Sequence, residues 1–351
     1  MQDNKVFLSI DLVKPGMCTA EVVFNKYGSV MLWENVILDE NTIQRLKNMG
    51  IQSIWAYREQ PQAEDSGFIL SPSQRFMVDY ERDVNSTKQI FQDISSGKRL
   101  NVEAANEIVN TITIKSDDNQ NMIESVIQVR SIDEYTYYHS LNVSMLCLLI
   151  GRWLRLDERS IRDLAQAGLL HDIGKTQIPL SILNKPGKLT DSEFAEMKRH
   201  SEYGYSLLSG IGEIPAEVSI AILTHHEKED GSGYPMGFTG DQLNLYSKII
   251  TVADIFDAMT ANRTYKRKDT PLKVFELMQH GSFGVLDPVV LRVFLENISN
   301  YYIGAKIKLN TGETGKIVFM NKIDLSRPVV QIDDRYIDTG VSKTVRIVDF
   351  I

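Results

Sequence analysis

The sequence predicts a mainly helical protein with a small β-rich (α+β) domain at its N-terminal end and a β-rich extension at its C-terminal end. Three patterns support this class: alternating apolar residues in the first 60 positions, helical periodicity from about 71 to 300, and renewed alternation after that. A polar, breaker-rich segment at 60–67 is a candidate linker. We therefore predict domains at residues 1–65, 66–300 and 301–351.

Local signals mark the elements in chain order. The N-terminal zone contains a short helical pattern at 41–50, stopped by Gly50, and a strand pattern at 51–57. In the helical zone, Asp157 begins a helix that Gly174 could end, and Thr190 with Glu193 forms a capping-box signature before the next helix. Turn signals separate the predicted strands at both ends of the chain, at 14–17, 25–28, 310–312 and 338–340.

Charge and composition exclude several classes of protein. The chain has 351 residues and a net charge of −8, which disfavours a general binder of nucleic-acid polymers or of anionic membranes. Two cysteines are too few for a disulfide framework. The N-terminus lacks the pattern of a signal peptide, and the apolar stretch at 143–154 is shorter than the about 20 residues of a membrane span. We expect a cytoplasmic protein with no membrane partner.

Histidine and acidic residues recur at the ends of predicted helical segments. The set comprises His139, His171-Asp172, His200, His225-His226-Glu227, Asp254 and Asp257. Imidazole and carboxylate together suit Fe, Mn, Zn, Ni or Co. A single tetrahedral zinc would not use so many ligands, whereas a dinuclear site with a bridging carboxylate would. Adjacent helical residues point about 100° apart, so a doublet can reach two ions. Taken singly, each motif is also explained by an ordinary core histidine or a helix end.

The conjunction of two motifs resembles a known family. His171-Asp172, followed by HHEKEDGSGYP at 225–235, resembles the two name-giving motifs of the HD-GYP family, bacterial metal-dependent phosphodiesterases of the HD superfamily that hydrolyse cyclic di-GMP. The similarity covers roughly 125–300 and implies a helical HD-type phosphohydrolase domain. The flanking zones more weakly resemble an accessory domain and a β-rich extension found in such proteins.

The resemblance implies a set of metal ligands. One ion would be held by His139, His171 and Asp254, the other by His200, His225 and His226, with Asp172 bridging them. Some members hold a third ion through a glutamate four residues before the first histidine. Here that position is Tyr135, and Glu134 is one residue off. We predict two divalent ions per chain, Fe or Mn by resemblance, with Zn, Ni or Co as alternatives.

Further residues are predicted to act on the substrate. By resemblance, Lys175 contacts a phosphate and stabilises the transition state. We interpret Asp257 as a group that orients water or shuttles a proton, with the alternative that it only orients a ligand histidine.

A second group of residues is predicted to bind the substrate. Arg263 and Lys266 are expected at the second phosphate by resemblance, since Arg forms a bidentate fork with phosphate and Lys adds a point charge. Gly233 and Tyr234 are also expected to contact the substrate. Tyr234 could stack on a guanine or bond a phosphate, or only pack within its turn.

The resemblance implies hydrolysis of cyclic di-GMP to pGpG by a metal-bridging hydroxide, with processing of pGpG to GMP left open. Two alternatives remain: the same chemistry on another cyclic dinucleotide such as cyclic GMP–AMP, or a catalytically quiet sensor or scaffold. All seven implied ligands are present, which favours catalysis. The N-terminal domain carries no recognisable chemistry and could serve a signalling-protein partner or a homodimer.

Overall fold

The computed structural model describes residues 5–21, 23–24, 30–32, 36–38, 40–57, 72–115, 122–123, 126, 135–260, 270–281, 284–342 and 344–351. The chain divides into two compact units. The first contains Met1–Asp79 with Ile127–Arg130, and the second contains Tyr80–Val126 with Ser131–Ile351. Helices dominate, and an antiparallel sheet follows them, which confirms the predicted mainly helical class with a β extension. The predicted three-domain division stays a prediction.

In its described residues before Pro72, the first unit combines short antiparallel strands with one α-helix. Its elements are β1 (Lys5–Ser9), β2 (Val23–Phe24), β3 (Val30–Leu32), α1 (Glu40–Asn48) and β4 (Ser53–Tyr57). Strand β1 pairs with β4, and β2 pairs with β3. Buried aliphatic side chains such as Leu38, Leu46 and Ile54 form its core. The helix and final strand predicted here are confirmed, and Gly50 adopts the positive φ of a helix stop.

The second unit contains most of the helices. They are α2 (Pro72–Ser95), which begins in the first unit, α3 (Val102–Lys115), α4 (Tyr135–Trp153), α5 (Glu158–Leu170), α6 (Leu180–Leu183), α7 (Asp191–Lys198), α8 (His200–Leu208), α9 (Ala216–Thr224), α10 (Leu245–Thr260), α11 (Pro271–Gly281) and α12 (Pro288–Ile298). Helix α4 is central, since it packs on α3, α5, α10 and α12. Its residues 138–151 are all buried, and most of them are apolar, although His139 and Asn142 are buried polar residues of the same helix.

The helix that begins after Asp157 is shorter than predicted. The Asp157 carboxylate accepts from two backbone N–H groups and caps α5 as expected. The helix ends at Leu170, however, and not at Gly174, because a 3-10 turn at 173–177 packs closely on the start of α8. A Cβ atom at Gly174 would overlap the carbonyl oxygen of His200. This correction leaves His171 and Asp172 at a helix end. The capping box of Thr190 is confirmed.

The C-terminal strands form one antiparallel sheet in the order β8-β7-β6-β5-β9. They are β5 (Lys306–Leu309), β6 (Thr314–Phe319), β7 (Val329–Ile332), β8 (Arg335–Asp338) and β9 (Ile347–Phe350). Alternate residues such as Ile307, Ile317 and Val330 are buried, which matches the alternation in the sequence. Among the helices that the structure describes, none combines the length and apolar character needed to cross a membrane.

Candidate metal centre

The predicted ligands converge from separate helices of the second unit. His139 lies on α4, His171 and Asp172 follow α5, His200 begins α8, His225 and His226 follow α9, and Asp254 lies on α10. Three groups of these side chains each bring their ligand atoms within 4.8 Å of one another: His139 with His171 and Asp254, His200 with His225 and His226, and His171 with Asp172 and His225. The ends of three helices and the interiors of two others thus supply one compact cluster.

Backbone carbonyls fix the orientation of three imidazoles. Nδ1 of His171, His200 and His225 each lies 2.7–2.8 Å from the carbonyl oxygen three residues earlier. A carbonyl can only accept a hydrogen bond, so Nδ1 carries the proton in each neutral ring. Nε2 is then left with its lone pair and points into the cluster. This is the tautomer that metal-binding histidines commonly use.

The Nε2 atoms approach one another at distances that suit shared ions. His139 Nε2 lies 3.2 Å from His171 Nε2 and 3.2 Å from Asp254 Oδ1, and the Nε2 atoms of His200 and His225 are 3.3 Å apart. Two ligand atoms bound at about 2.1 Å to one ion lie about 3.0–3.4 Å apart. Facing lone pairs at this distance repel each other unless a cation lies between them. The donor set therefore fits divalent metal ions.

The Asp172 carboxylate lies between the two groups of histidines. Its Oδ2 is 3.4 Å from His171 Nε2, and its Oδ1 is 3.5 Å from His200 Nε2. The residue is 1% exposed. Each oxygen therefore faces a different group of imidazoles, and the bridging role that the family resemblance implies for Asp172 stays a prediction.

Burial keeps most of these imidazoles neutral. It lowers the pKa of His171, His200 and His225, and it lowers the pKa of His226 to about 3. In each case the desolvation of the charged ring is the main cause. Neutral imidazoles are the form that binds metals. These four rings are therefore available as ligands at neutral pH.

His139 and the two acidic groups behave differently. Burial opposes protonation of His139, but hydrogen bonds to Asp254 and Asp257 outweigh it and raise the pKa of this imidazole to about 10. Burial also disfavours the charged carboxylates. Nevertheless, the hydrogen bond from His139 holds the pKa of Asp254 well below its usual range, and the charges of Lys175 and the imidazoles do the same for Asp172. The carboxylates of Asp254 and Asp172 thus stay ionised, and their negative charges favour the binding of cations.

Lys175 and Asp257 are both found beside the predicted ligands. Lys175 Nζ is 2.5 Å from Asp172 Oδ2, and its side chain is 27% exposed. Asp257 lies behind His139: its Oδ2 is 2.8 Å from Nδ1, and its Oδ1 accepts from Asn142. This geometry favours the alternative in which Asp257 orients a ligand histidine over a role as proton shuttle.

The glycine-rich loop after His226 packs over the cluster. The Tyr234 ring lies 4.7 Å from the His226 ring, and burial raises the pKa of its phenol well above the usual range. A Cβ atom at Gly233 would overlap the backbone of Glu227, so this glycine allows a close approach of the loop. Arg263 and Lys266 lie outside the described residues, as does Glu134.

Sequence reasoning missed the part that Glu227 plays. This carboxylate is 1% exposed and accepts from the backbone N–H groups of Met236 (2.6 Å), Gly237 (3.0 Å) and Phe238 (3.1 Å). It therefore ties the loop that carries Tyr234 to the segment that carries the histidines. The available signal was an acidic residue shortly before a glycine-rich turn, because backbone N–H groups of such a turn need acceptors.

Comparisons with known proteins find a family and several relatives for this chain. The sequence model of the HD domain matches residues 114–290. A cyclic di-GMP phosphodiesterase of Pseudomonas aeruginosa is 35% identical over 243 residues, which are 69% of this chain and 58% of that protein. The 3′3′-cGAMP-specific phosphodiesterase 1 of Vibrio cholerae is 38% identical over 183 residues, 52% of this chain and 42% of that protein. The chain thus spans about half the length of these curated relatives.

One solved structure shares the fold over most of its length. Bd1817, an HDG"Y"P protein from Bdellovibrio bacteriovorus, has a TM-score of 0.57 at 15% identity, and the match covers 84% of this chain and 99% of that one. The matched HD domain spans half of the present chain and contains all of the clustered histidines. On this match, together with its two motifs and its relatives, the chain belongs to the HD domain family and to its HD-GYP branch.

Proposed function

We propose that this protein hydrolyses a phosphodiester bond of cyclic di-GMP to give pGpG, with GMP as a further product. The observation that carries the proposal is the placement of Asp172 between two groups of imidazoles whose Nε2 atoms face one another. The name of the Pseudomonas aeruginosa relative supports cyclic di-GMP as the substrate.

Two divalent ions per chain, Fe or Mn, are proposed at the seven side chains named above. When bound, such a pair supplies Lewis acidity for a nucleophile at neutral pH and charge to hold a phosphoryl group. Residues of the chain do the remaining work. The Nδ1 bonds to carbonyls fix the imidazoles, and the buried position of Asp172 excludes water from its carboxylate. Iron and manganese are proposed from the family resemblance, and zinc, nickel and cobalt are the alternatives for the test.

Lys175 is proposed to contact a phosphate oxygen. Its ammonium bonds Asp172, and its partly exposed side chain also reaches the surface of the site. A fixed ammonium next to the reacting phosphate stabilises charge that develops in the transition state. Arg263 and Lys266 are proposed at the second phosphate on the sequence alone. Tyr234, packed on His226, is proposed to border the substrate, with Gly233 allowing the loop to approach.

A second candidate substrate is 3′3′-cGAMP. It is favoured by one observation, the 38% identity to a Vibrio cholerae phosphodiesterase named as specific for that nucleotide. The metal ligands would act only on the phosphodiester, so they do not distinguish the two substrates. A third candidate function, nucleotide sensing without turnover, predicts binding with no product.

The experiment is product chromatography after metal loading. The full chain is purified anaerobically, loaded with Fe²⁺ or Mn²⁺ and incubated with cyclic di-GMP, 3′3′-cGAMP or cyclic di-AMP. We expect pGpG from cyclic di-GMP, and an Asp172→Ala variant should lose turnover by at least about 10³-fold. Asp191→Ala, an exposed aspartate at the start of α7, is the matched control.

Each outcome of this experiment decides between the candidates. Faster turnover of 3′3′-cGAMP would favour the second substrate, and binding without turnover by any loaded metal would favour the sensor. Wild-type hydrolysis by Asp172→Ala would overturn the metal mechanism. Three tightly held ions per chain would contradict the proposed pair. A cytoplasmic location, and a partner or homodimer at the N-terminal domain, stay predictions from the sequence.

A further inference from the structure

A chain of buried hydrogen bonds leads from helix α2 to the first group of ligands. The Tyr80 hydroxyl lies 2.6 Å from Asn142 Oδ1, and Asn142 Nδ2 lies 2.9 Å from Asp257 Oδ1. Asp257 Oδ2 is in turn 2.8 Å from Nδ1 of His139. All four side chains belong to the second unit, and each residue is at most 4% exposed. Three bonds therefore connect a tyrosine of α2 to a predicted metal ligand.

The direction of each bond follows from the chemistry of its two groups. An ionised carboxylate only accepts, so Asn142 must present its NH₂ group to Asp257. Its carbonyl oxygen then faces Tyr80, whose hydroxyl must donate. At the other end, Asp257 accepts from the Nδ1–H of His139, so the Nε2 atom is the one that faces His171 and that would bind a metal after losing its proton. Tyr80 thus selects the orientation of the Asn142 side-chain amide. That amide holds the Asp257 carboxylate in place, and the carboxylate selects the tautomer of His139.

Helix geometry places this relay on the metal-facing side of α4. Asn142 follows His139 by three residues, about one helical turn, so the ligand and its support share one face. Tyr80 lies outside residues 114–290, the part matched by the HD domain. Helix α2, which lies outside the part of the chain matched by the HD domain, therefore helps to hold the predicted metal ligand His139.

We propose that Tyr80 and Asn142 are positioning residues that hold His139 in its metal-binding orientation through Asp257. The proposal rests on the proposed metal-dependent function and extends it to the residues that tune the first group of ligands. Loss of an outer partner of a metal-bound histidine typically weakens metal affinity or activity by about 10–100-fold. Because Tyr80 acts through two other groups, a smaller loss, about 3–30-fold, is expected for its hydroxyl alone.

The test compares two buried tyrosines whose hydroxyl groups donate to different partners. Tyr80→Phe removes the hydroxyl at the start of the relay. Tyr138→Phe is the matched control, because Tyr138 is equally buried on α4 but donates to Glu81 and not to Asn142. Chelator-treated full-length protein is titrated calorimetrically with Mn²⁺ alone, and the visible absorption of bound Co²⁺ is recorded. We expect weaker binding and an altered Co²⁺ spectrum for Tyr80→Phe, and a change within about twofold for Tyr138→Phe.

A double-mutant cycle separates positioning from general stability. Asn142→Leu keeps the volume of the side chain but interrupts the relay, so the effect of Tyr80→Phe on Mn²⁺ affinity should largely disappear in that background. Equal effects of Tyr80→Phe in both backgrounds, or an unchanged Mn²⁺ affinity and Co²⁺ spectrum in Tyr80→Phe, would overturn the proposal. Asn142→Asp, which sets a second carboxylate against Asp257, gives an independent variant if Asn142→Leu fails to fold.

The metal titration also distinguishes failure of this proposal from failure of the proposed function. Wild-type protein that binds Mn²⁺ but hydrolyses no cyclic dinucleotide would contradict the function and leave the relay testable by affinity. Normal hydrolysis with no difference between Tyr80→Phe and Tyr138→Phe would contradict the relay alone.

Discussion

The imidazoles of His139 and His171 bring their Nε2 atoms within 3.2 Å of each other, while an acceptor holds each Nδ1 from behind. Both rings are buried. When His139 gives up the proton on its Nε2 to bind a metal, each Nε2 carries a lone pair, and two lone pairs at this distance repel each other unless a cation lies between them. A cation between the rings would turn that repulsion into attraction, so the fold should be stabilised by what it binds.

Metal ions should therefore raise the thermal stability of the protein. A ligand that binds only the folded state stabilises it by about 2.7 kcal/mol at 100 times its Kd. We expect Mn²⁺ added to chelator-treated protein to raise the Tm by several degrees, measured by differential scanning calorimetry. The His171→Ala variant should lose most of this increase. His280→Ala, outside the cluster at the end of α11, should keep it; an equal increase in both variants would contradict a site at His171.

In metal-free protein, stability should fall as the pH falls from about 6.5 towards 3. Four clustered imidazoles have a folded-state pKa below the unfolded value of about 6.5, and that of His226 is about 3. The unfolded chain therefore takes up protons first, which favours unfolding at about 1.4 kcal/mol per pH unit for each such group. His139, with its pKa raised to about 10, acts in the opposite sense: its stabilisation is complete below about 6.5 and is lost as the pH rises towards 10.

Urea denaturation with a chelator present at pH 7 and pH 5 measures this dependence. Between these values few carboxylates titrate, so the histidines dominate the change. The His226→Ala variant should lose less stability than wild type over this interval, because it lacks one of the imidazoles with a lowered pKa. A wild-type free energy of unfolding that is equal at both pH values would contradict the buried, neutral state of these rings.

The doublets made the cluster predictable from the sequence. A His-Asp or His-His pair at a helix end places two potential ligands side by side, and the structure brings both members of each pair into one cluster. Capping signals such as those of Asp157 and Thr190 were equally local, so they placed the helix starts correctly.

Other features depend on contacts that no local pattern specifies. The spacing from Asp254 to Asp257 predicts one helix face, but only the packing of α10 on α4 decides that Asp257 meets Nδ1 of His139. The Glu227 carboxylate and Gly174 likewise act through chain segments that meet only in the fold. The sequence therefore identified the residues of the histidine and aspartate cluster, but only the packing shows which groups hold those residues in place.

Gly174 should not tolerate even a methyl group. A Cβ atom there would overlap the His200 carbonyl oxygen and the Gly204 nitrogen, both parts of the backbone of α8. Gly174→Ala should lower the free energy of unfolding by about 1–3 kcal/mol and weaken Mn²⁺ binding, since His200 must shift. Gly210→Ala is the control, because nothing lies within 4 Å of its Cβ position. Equal stability of the two variants in urea would show that the 3-10 turn and α8 are not in close contact.

Replacing Glu227 by glutamine should lower the free energy of unfolding. Its Oε1 accepts from two backbone N–H groups and its Oε2 from a third. In Glu227→Gln, the new NH₂ group would face an N–H group, so one buried bond is lost and two donors meet. An unsatisfied buried donor costs about 1–3 kcal/mol, and we expect the free energy of unfolding in urea to fall by that amount.

The loop that carries Tyr234 would also be less well held in Glu227→Gln, so the KM for the cyclic dinucleotide should rise more than kcat falls. Glu202→Gln, a half-exposed glutamate on α8, should change neither quantity. A stability equal to wild type for Glu227→Gln would mean that the three N–H groups do not depend on this carboxylate.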